Sequence, residues 1–321
     1  MVDESVAVTM NHLEMSERGH RVRLRPVADT AARRGRQPEL EAGLPVDDAR
    51  HVGPFDAQSE CVPRAERQRD RRTPVMQALA LEVGFSETVF VLPAEQGGHA
   101  RMRIFTPGSE LPFAGHPTLG TAFVLAAPMQ LGVIELETGR GIVPVVLERD
   151  QSGRIVFGRM TQPVPTVSLL EDADSLFAAL GVPGSELPVE LYDNGARHLF
   201  VALASEAAVA ALRPDFASLE SLGVTGVNCF AGSGRTWKTR MFSALAGLSE
   251  DAATGSAAGP LACHLARHGR IAWGDEIEIT QGVEIGRPSK LFARAAGGAG
   301  LIDAVEVGGS AVVVARGEFR L

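Results

Sequence analysis

Two distant stretches of the 321-residue sequence carry the same pattern. Glu110-Leu-Pro-Phe-Ala-Gly-His-Pro-Thr-Leu-Gly-Thr-Ala122 has an acid, a small residue, a glycine and a polar residue, and then a helical run. Glu250-Asp-Ala-Ala-Thr-Gly-Ser-Ala-Ala-Gly-Pro-Leu-Ala262 has the same order, and its run is richer in alanine. A weak internal repeat of this kind makes a fold of two related halves the expectation. Glycine lets backbone come close to a ligand, and the free N–H groups of a helix start attract negative charge. Two such starts facing each other would hold an anion, or an enolate-like transition state, between the halves. Either motif alone also fits a plain helix cap; the pairing favours the ligand reading.

Around these stretches the chain alternates strands and helices from Val75 on. A short helix is predicted over Val75–Val83, a strand over Ser86–Leu92 and another over Arg101–Thr106. Pro117–Ala127 reads as a buried helix, with Pro117 suited to its first turn. Strands follow at Gly132–Leu136, Ile142–Leu147 and Ile155–Met160, with a linker at Pro163 and Pro165. The second round comprises the helix Ser175–Leu180, the strand His198–Ala202 and the helix Glu206–Leu212. Strands near Val227–Phe230 and Thr239–Phe242 precede a long helix over Ser256–His268. Glu276–Gln281, Ser289–Ala293 and Val312–Val314 complete the expected strands.

Composition narrows the function classes. With 31 basic against 39 acidic side chains and a net charge of −8, no concentrated basic face for nucleic acid is expected. No apolar stretch reaches the roughly 20 residues of a membrane helix. The three cysteines (Cys61, Cys229, Cys263) form no CxxC pair and no disulfide framework, so a reduced, cytoplasmic compartment is the default. Cys229 and Cys263 read as core fillers. His264 and His268 lie four apart on the long helix without an intervening glutamate or an evident third ligand, and read as a surface pair. Gly232-Ser-Gly234-Arg235 is too short for a dinucleotide fingerprint, and nothing near Lys238 suggests a pyridoxal site.

Several segments together resemble one family. Phe85-Ser-Glu-Thr-Val-Phe-Val91, the two repeat stretches, Gln281-Gly282, Gly286-Arg-Pro-Ser289 and Val307-Gly-Gly-Ser310 are similar, in order and spacing, to the PhzF-like proteins of phenazine biosynthesis. The resemblance covers about Val75 to Leu321. It implies an α/β (α+β) diaminopimelate-epimerase-like fold with the active site in a cleft. Each half is then a mixed β-sheet wrapped around a central helix, the halves covering 75–162 and 163–309, with a strand in about 310–321 returning to the first. It also implies a cofactor-independent isomerase or epimerase acting on a small carboxylate-bearing metabolite, without a metal, and often a homodimer. By the same resemblance Glu87 is the proton-shuttling carboxylate, and His116 and Asp251 are further active-site groups. Gly115, Thr254, Gly255 and Ser256 line the substrate. The epimerases of this fold use a cysteine from each half; Ala114 and Thr254 stand at those positions, so a two-thiol racemisation is unavailable.

The chemistry can also be argued from the residues. Moving a proton between carbons needs one group that accepts it, stays shielded and returns it. A carboxylate raised in pKa by apolar neighbours suits this, and Glu87 sits among Phe85, Val89, Phe90 and Val91. Taken without the resemblance, Glu87 also fits a strand-edge acid, Asp251 a loop acid and Ser256 an N-cap.

Residues 1–74 depart from all of this. They hold thirteen arginines, thirteen acids and no lysine, with no sustained period, and lack the strand–Gly-Asn-Pro–strand opening of the family. An irregular segment is expected, produced by a frame shift or displaced start in GC-rich coding DNA, with a divergent N-terminus as the rival. An altered N-terminus brings in two alternatives: an inactive product, or a binding protein that keeps the cleft without turnover.

Overall fold

The computed structural model describes residues 64–244, 249–298 and 300–313. The expected irregular N-terminal segment therefore lies outside the described residues up to residue 63, as do residues 314–321. Helix α1 (Arg64–Val83) leads to the antiparallel strands β1 (Thr88–Leu92) and β2 (Ala100–Phe105). The short β3 (Glu110–Leu111), helix α2 (Gly115–Met129) and strands β4 (Val133–Thr138), β5 (Gly141–Arg149) and β6 (Ile155–Gln162) follow. Next come β7 (Thr166–Leu169), α3 (Asp174–Leu180), β8 (Glu190–Asp193), β9 (Arg197–Ala202), α4 (Glu206–Ala211) and α5 (Phe216–Glu220). Then the first plan returns as β10 (Gly226–Ser233), β11 (Thr236–Ser243), β12 (Glu250–Asp251), α6 (Gly255–Arg267), β13 (Glu276–Gln281), β14 (Ser289–Gly298) and β15 (Leu301–Gly309).

The repeat seen in sequence is a repeat of hydrogen-bonding pattern. β2 pairs antiparallel with β1 and β3 and parallel with β4; β11 pairs antiparallel with β10 and β12 and parallel with β13. β4, β5 and β6 run antiparallel in sequence, and so do β13, β14 and β15. The two sets join where β6 meets β15, antiparallel, with Met160 opposite Val307. The continuous order is β1-β2-β4-β5-β6-β15-β14-β13-β11-β10-β9-β8-β7.

The repeated acids have a repeated task. Glu110 takes a two-pronged ion pair from Arg103, whose guanidinium lies over the Phe105 ring. Glu250 takes the same pair from Arg240, which lies over Phe242. Each pair fastens the turn before a central helix to the strand that precedes it, in the fork geometry that Arg and carboxylate share.

Both central helices face one apolar core. Leu119, Ala122 and Phe123 of α2 and Leu261, Ala262 and Leu265 of α6 are buried in it with Met160, Val305 and Val307 from the seam. On the outer face, Met76, Leu79 and Ala80 of α1 pack with Phe90 and Phe105. The other half repeats the arrangement: Val209 of α4 and Leu219 of α5 pack with Val227, Cys229 and Phe242. Cys229 and Cys263 are fully buried, as a filler role requires.

Three differences from expectation have physical reasons. α1 starts at Arg64 rather than near Val75, since Arg, Glu, Gln and Ala propagate a helix well even without an apolar face. β15 has no counterpart among the expected strands, because its first half is solvent-facing and its end is glycine-rich. β15 itself reaches back to the first half by pairing with β6, and of the expected strand in about 310–321, residues 314–321 lie outside the described residues. His264 is fully buried, not a surface residue.

Candidate active site

The two helix starts meet. A Cβ on Gly115 would lie 2.5 Å from the Gly255 carbonyl carbon and 2.6 Å from the Ser256 nitrogen; one on Gly255 would lie 3.0 Å from the His116 nitrogen. At Gly115 only glycine fits such an approach without moving the facing backbone. Neither helix start has a side-chain cap: the residues before them are Ala114, which has no polar group, and Thr254, whose hydroxyl is turned elsewhere. Two positive dipole ends with uncapped N–H groups therefore converge, the setting in which an anionic oxygen is held.

Glu87, just before β1, lies against His116 at the start of α2. Its Oε2 is 2.8 Å from His116 Nε2, and each side chain is only 12% exposed. Burial acts to raise Glu87, but the charge and hydrogen bond of His116, a hydrogen bond from Ser86 and the charge of Arg287 carry it net below its ordinary value. Burial likewise acts to lower His116. The Glu87 charge and hydrogen bond, the Asp251 charge and the Ala253 backbone outweigh that and lift it to about 9. The pair is thus carboxylate and imidazolium at neutral pH. The expectation of an apolar site that raises Glu87 is corrected: burial does act in that direction, but the His116 charge outweighs it.

Asp251 reaches the pair electrostatically from the other half. It is buried, and its Oδ2 accepts the Thr254 hydroxyl at 2.7 Å. Gln281 at the end of β13 donates Nε2 to the Asp251 main-chain oxygen at 2.9 Å and to Thr254 Oγ1 at 2.8 Å. Gln281 Oε1 accepts the Thr254 N–H at 3.3 Å. Thr254 spends its hydroxyl on Asp251 and Gln281, so its side chain orders the loop. Gly282, at φ +79°, is kept free of a Cβ that would meet the Ala252 and Arg287 carbonyls. Gln281-Gly282 stood out in the sequence as a motif; its role as the brace of Asp251 did not.

Ser256 is the counterpart of His116, one residue into the second central helix. Its carbonyl accepts from Asn194 Nδ2 at 2.9 Å, and its hydroxyl lies 3.0 Å from His198 Nε2. Gln162 at the end of β6 donates to the Gly255 carbonyl at 2.8 Å, so the first half also holds the second helix start. Asn194, His198 and Gln162 carried no signal in sequence; their partners are 62, 58 and 93 residues away.

Away from the two helix starts, His264 and His268 converge with Glu190. The Glu190 Oε2 atom lies 3.1 Å from His264 Nδ1 and 3.2 Å from His268 Nε2, and accepts the Tyr192 hydroxyl at 2.8 Å; Arg267 occupies Oε1 at 3.2 Å. By spacing these atoms could ligate a metal, but Glu190 has its lone pairs engaged and Arg267 already supplies a positive charge. Despite burial, these donors hold Glu190 below the usual carboxylate range. The cluster reads as a polar knot that lets α6 bury His264. No helix among the described residues is long and apolar enough to cross a membrane.

Comparison with known proteins agrees with this architecture. Residues 60–317 match the family described as phenazine biosynthesis-like protein. A trans-2,3-dihydro-3-hydroxyanthranilate isomerase of Pseudomonas aeruginosa is 54% identical over 246 residues, covering 77% of this chain and 88% of that one. Its namesake from Pseudomonas chlororaphis matches to the same extent. Among solved structures, a Bacillus anthracis phenazine biosynthesis protein of the PhzF family superposes with a TM-score of 0.64 at 25% identity, covering 74% of this chain and 86% of that one. An Agrobacterium vitis hydroxyproline epimerase shares the fold at a TM-score of 0.54 and 16% identity, covering 71% and 73%.

Proposed function

This chain belongs to the phenazine biosynthesis-like PhzF family and is an isomerase, and from that premise we propose that Glu87 moves a proton between two carbons of a small carboxylate-bearing metabolite. The relatives' name makes trans-2,3-dihydro-3-hydroxyanthranilate the substrate of choice. The observation that carries the reading is the buried Glu87–His116 ion pair beside two converging, uncapped helix starts.

Glu87, ionised at neutral pH, is ready to accept a proton from carbon. His116 holds it charged and poised, and Asp251 across the cleft holds His116 cationic. Charge pushed from the broken C–H bond toward an oxygen of the substrate is met by the N–H groups at Gly115, His116, Gly255 and Ser256. The carboxylic acid formed on Glu87 then returns the proton to a second carbon. Each step uses groups of the chain itself.

Replacing Glu87 by Gln keeps the shape and removes the base. Turnover should fall by about 10²–10⁴-fold with little change in substrate affinity. The decisive readout is deuterium from solvent appearing in the product. A folded Glu87→Gln protein that exchanges at the parent rate ends the assignment, and a parent that binds the compound without any exchange leaves a binding protein only.

A further inference from the structure

Behind Ser256 stands a chain of buried polar groups that the Glu87–His116 pair does not touch. His198, on β9 and fully buried, directs Nε2 to Ser256 Oγ at 3.0 Å. Asn228, on β10, places Nδ2 3.3 Å from His198 Nδ1 and 3.4 Å from the Leu199 carbonyl oxygen. A carbonyl can only accept, so the Asn228 atom facing Leu199 is the amide nitrogen, and its two protons serve Leu199 and His198. His198 Nδ1 is therefore an acceptor, and the single proton of the neutral ring sits on Nε2. Burial keeps the ring neutral, holding His198 down at about 4 against the pull of the Asp193 charge. Nε2–H then donates to Ser256 Oγ. Among the described residues the hydroxyl makes no second hydrogen bond, so its own proton is left to give.

We infer that His198 is a positioning residue: a neutral imidazole of one fixed tautomer that fills a lone pair of Ser256 and turns the serine proton toward an anionic oxygen held between the helix starts. The arrangement is the reverse of a serine–histidine nucleophile, in which the ring must accept the serine proton. Here the ring has no free lone pair facing the serine, so Ser256 is a donor and never a nucleophile. The inference takes only the identity of the ligand from the proposed isomerase reading; the tautomer and the direction of donation come from the geometry.

Protein labelled with ¹⁵N-histidine tests it directly, the His198 signals being assigned by their loss in His198→Leu. A protonated Nε2 and a bare Nδ1, unchanged between about pH 5 and 8, are expected. In turnover of trans-2,3-dihydro-3-hydroxyanthranilate, Ser256→Ala and His198→Leu should each raise KM about tenfold or more, kcat changing less, because a hydrogen bond to a charged group is lost. The double variant should be no worse than Ser256→Ala, whereas a merely structural role makes the losses add. His198→Gln, which restores an N–H donor, should recover most of the affinity. A bare Nε2, a ring that titrates in that range, or additive losses would overturn the inference. A parent that turns over none of this compound refutes the substrate reading instead, and the tautomer measurement still decides for or against His198.

Discussion

His116 and His198 both sit beside a central helix start, the first charged and the second neutral. A carboxylate at 2.8 Å keeps the first cationic, while the second hydrogen-bonds to an amide and a hydroxyl and burial outweighs the pull of the Asp193 charge. Their linkage to stability has opposite signs. His116 is raised from 6.5 to about 9, so its contribution is complete below 6.5 and fades as pH rises through 9. Glu87 lies below its ordinary 4.5, so its contribution is complete above 4.5 and is lost in acid. The melting-temperature gap between the parent and Glu87→Gln should be widest between 4.5 and 6.5 and close toward 9. If turnover uses the charged pair as proposed, it should show its alkaline limb near 9, read from kcat/KM against pH. His198, lowered from 6.5 to about 4, is most stabilising above 6.5 and loses that as pH falls. Thermal melts of His198→Gln should accordingly be less acid-sensitive than those of the parent.

At the scale of elements, the two glycines at the helix starts are not equivalent. The Cβ of Gly115→Ala would meet fixed backbone at 2.5 Å, so α2 and α6 must part; overpacking of this kind costs about 1–3 kcal/mol. Gly255→Ala, with its nearest atom at 3.0 Å, needs only a few tenths of an ångström and should cost less. Denaturant midpoints rank the two, and the reverse order would contradict the geometry. The two Arg–Glu fasteners offer a second comparison. Arg240 and Glu250 are 7% and 6% exposed, Arg103 and Glu110 12% and 37%. Arg240→Lys, which loses the fork in a buried setting and the bonds of Arg240 Nη1 to the Ala210 and Leu212 carbonyls, should destabilise more than Arg103→Lys.

Across the whole molecule, the β6–β15 seam makes the two repeats one cooperative body, because the sheet and the apolar core both run through it. A single unfolding transition is expected by fluorescence and by circular dichroism. Met160→Ala, which removes a buried side chain opposite Val307, should cost about 2–5 kcal/mol without splitting that transition. Two resolved transitions would show that the halves fold separately. The internal repeat also shows an asymmetry: β10 is flanked by β9, β8 and β7, whereas β1 is the edge of the sheet among the described residues.

The order of elements, the two glycine-opened helices and the family were legible in the sequence because they are local: turn chemistry, periodicity and short motifs survive without contacts. So was the motif that carries Glu87. What pairs across the molecule was not. The charge on Glu87 depends on His116, which is 29 positions away, and the orientation of Ser256 depends on His198 and Asn228, which belong to other strands. The burial of His264 depends on Glu190 from β8. Apolar neighbours along the chain suggested a raised Glu87, but a charge at hydrogen-bond distance outweighs them, and only the folded chain sets that distance.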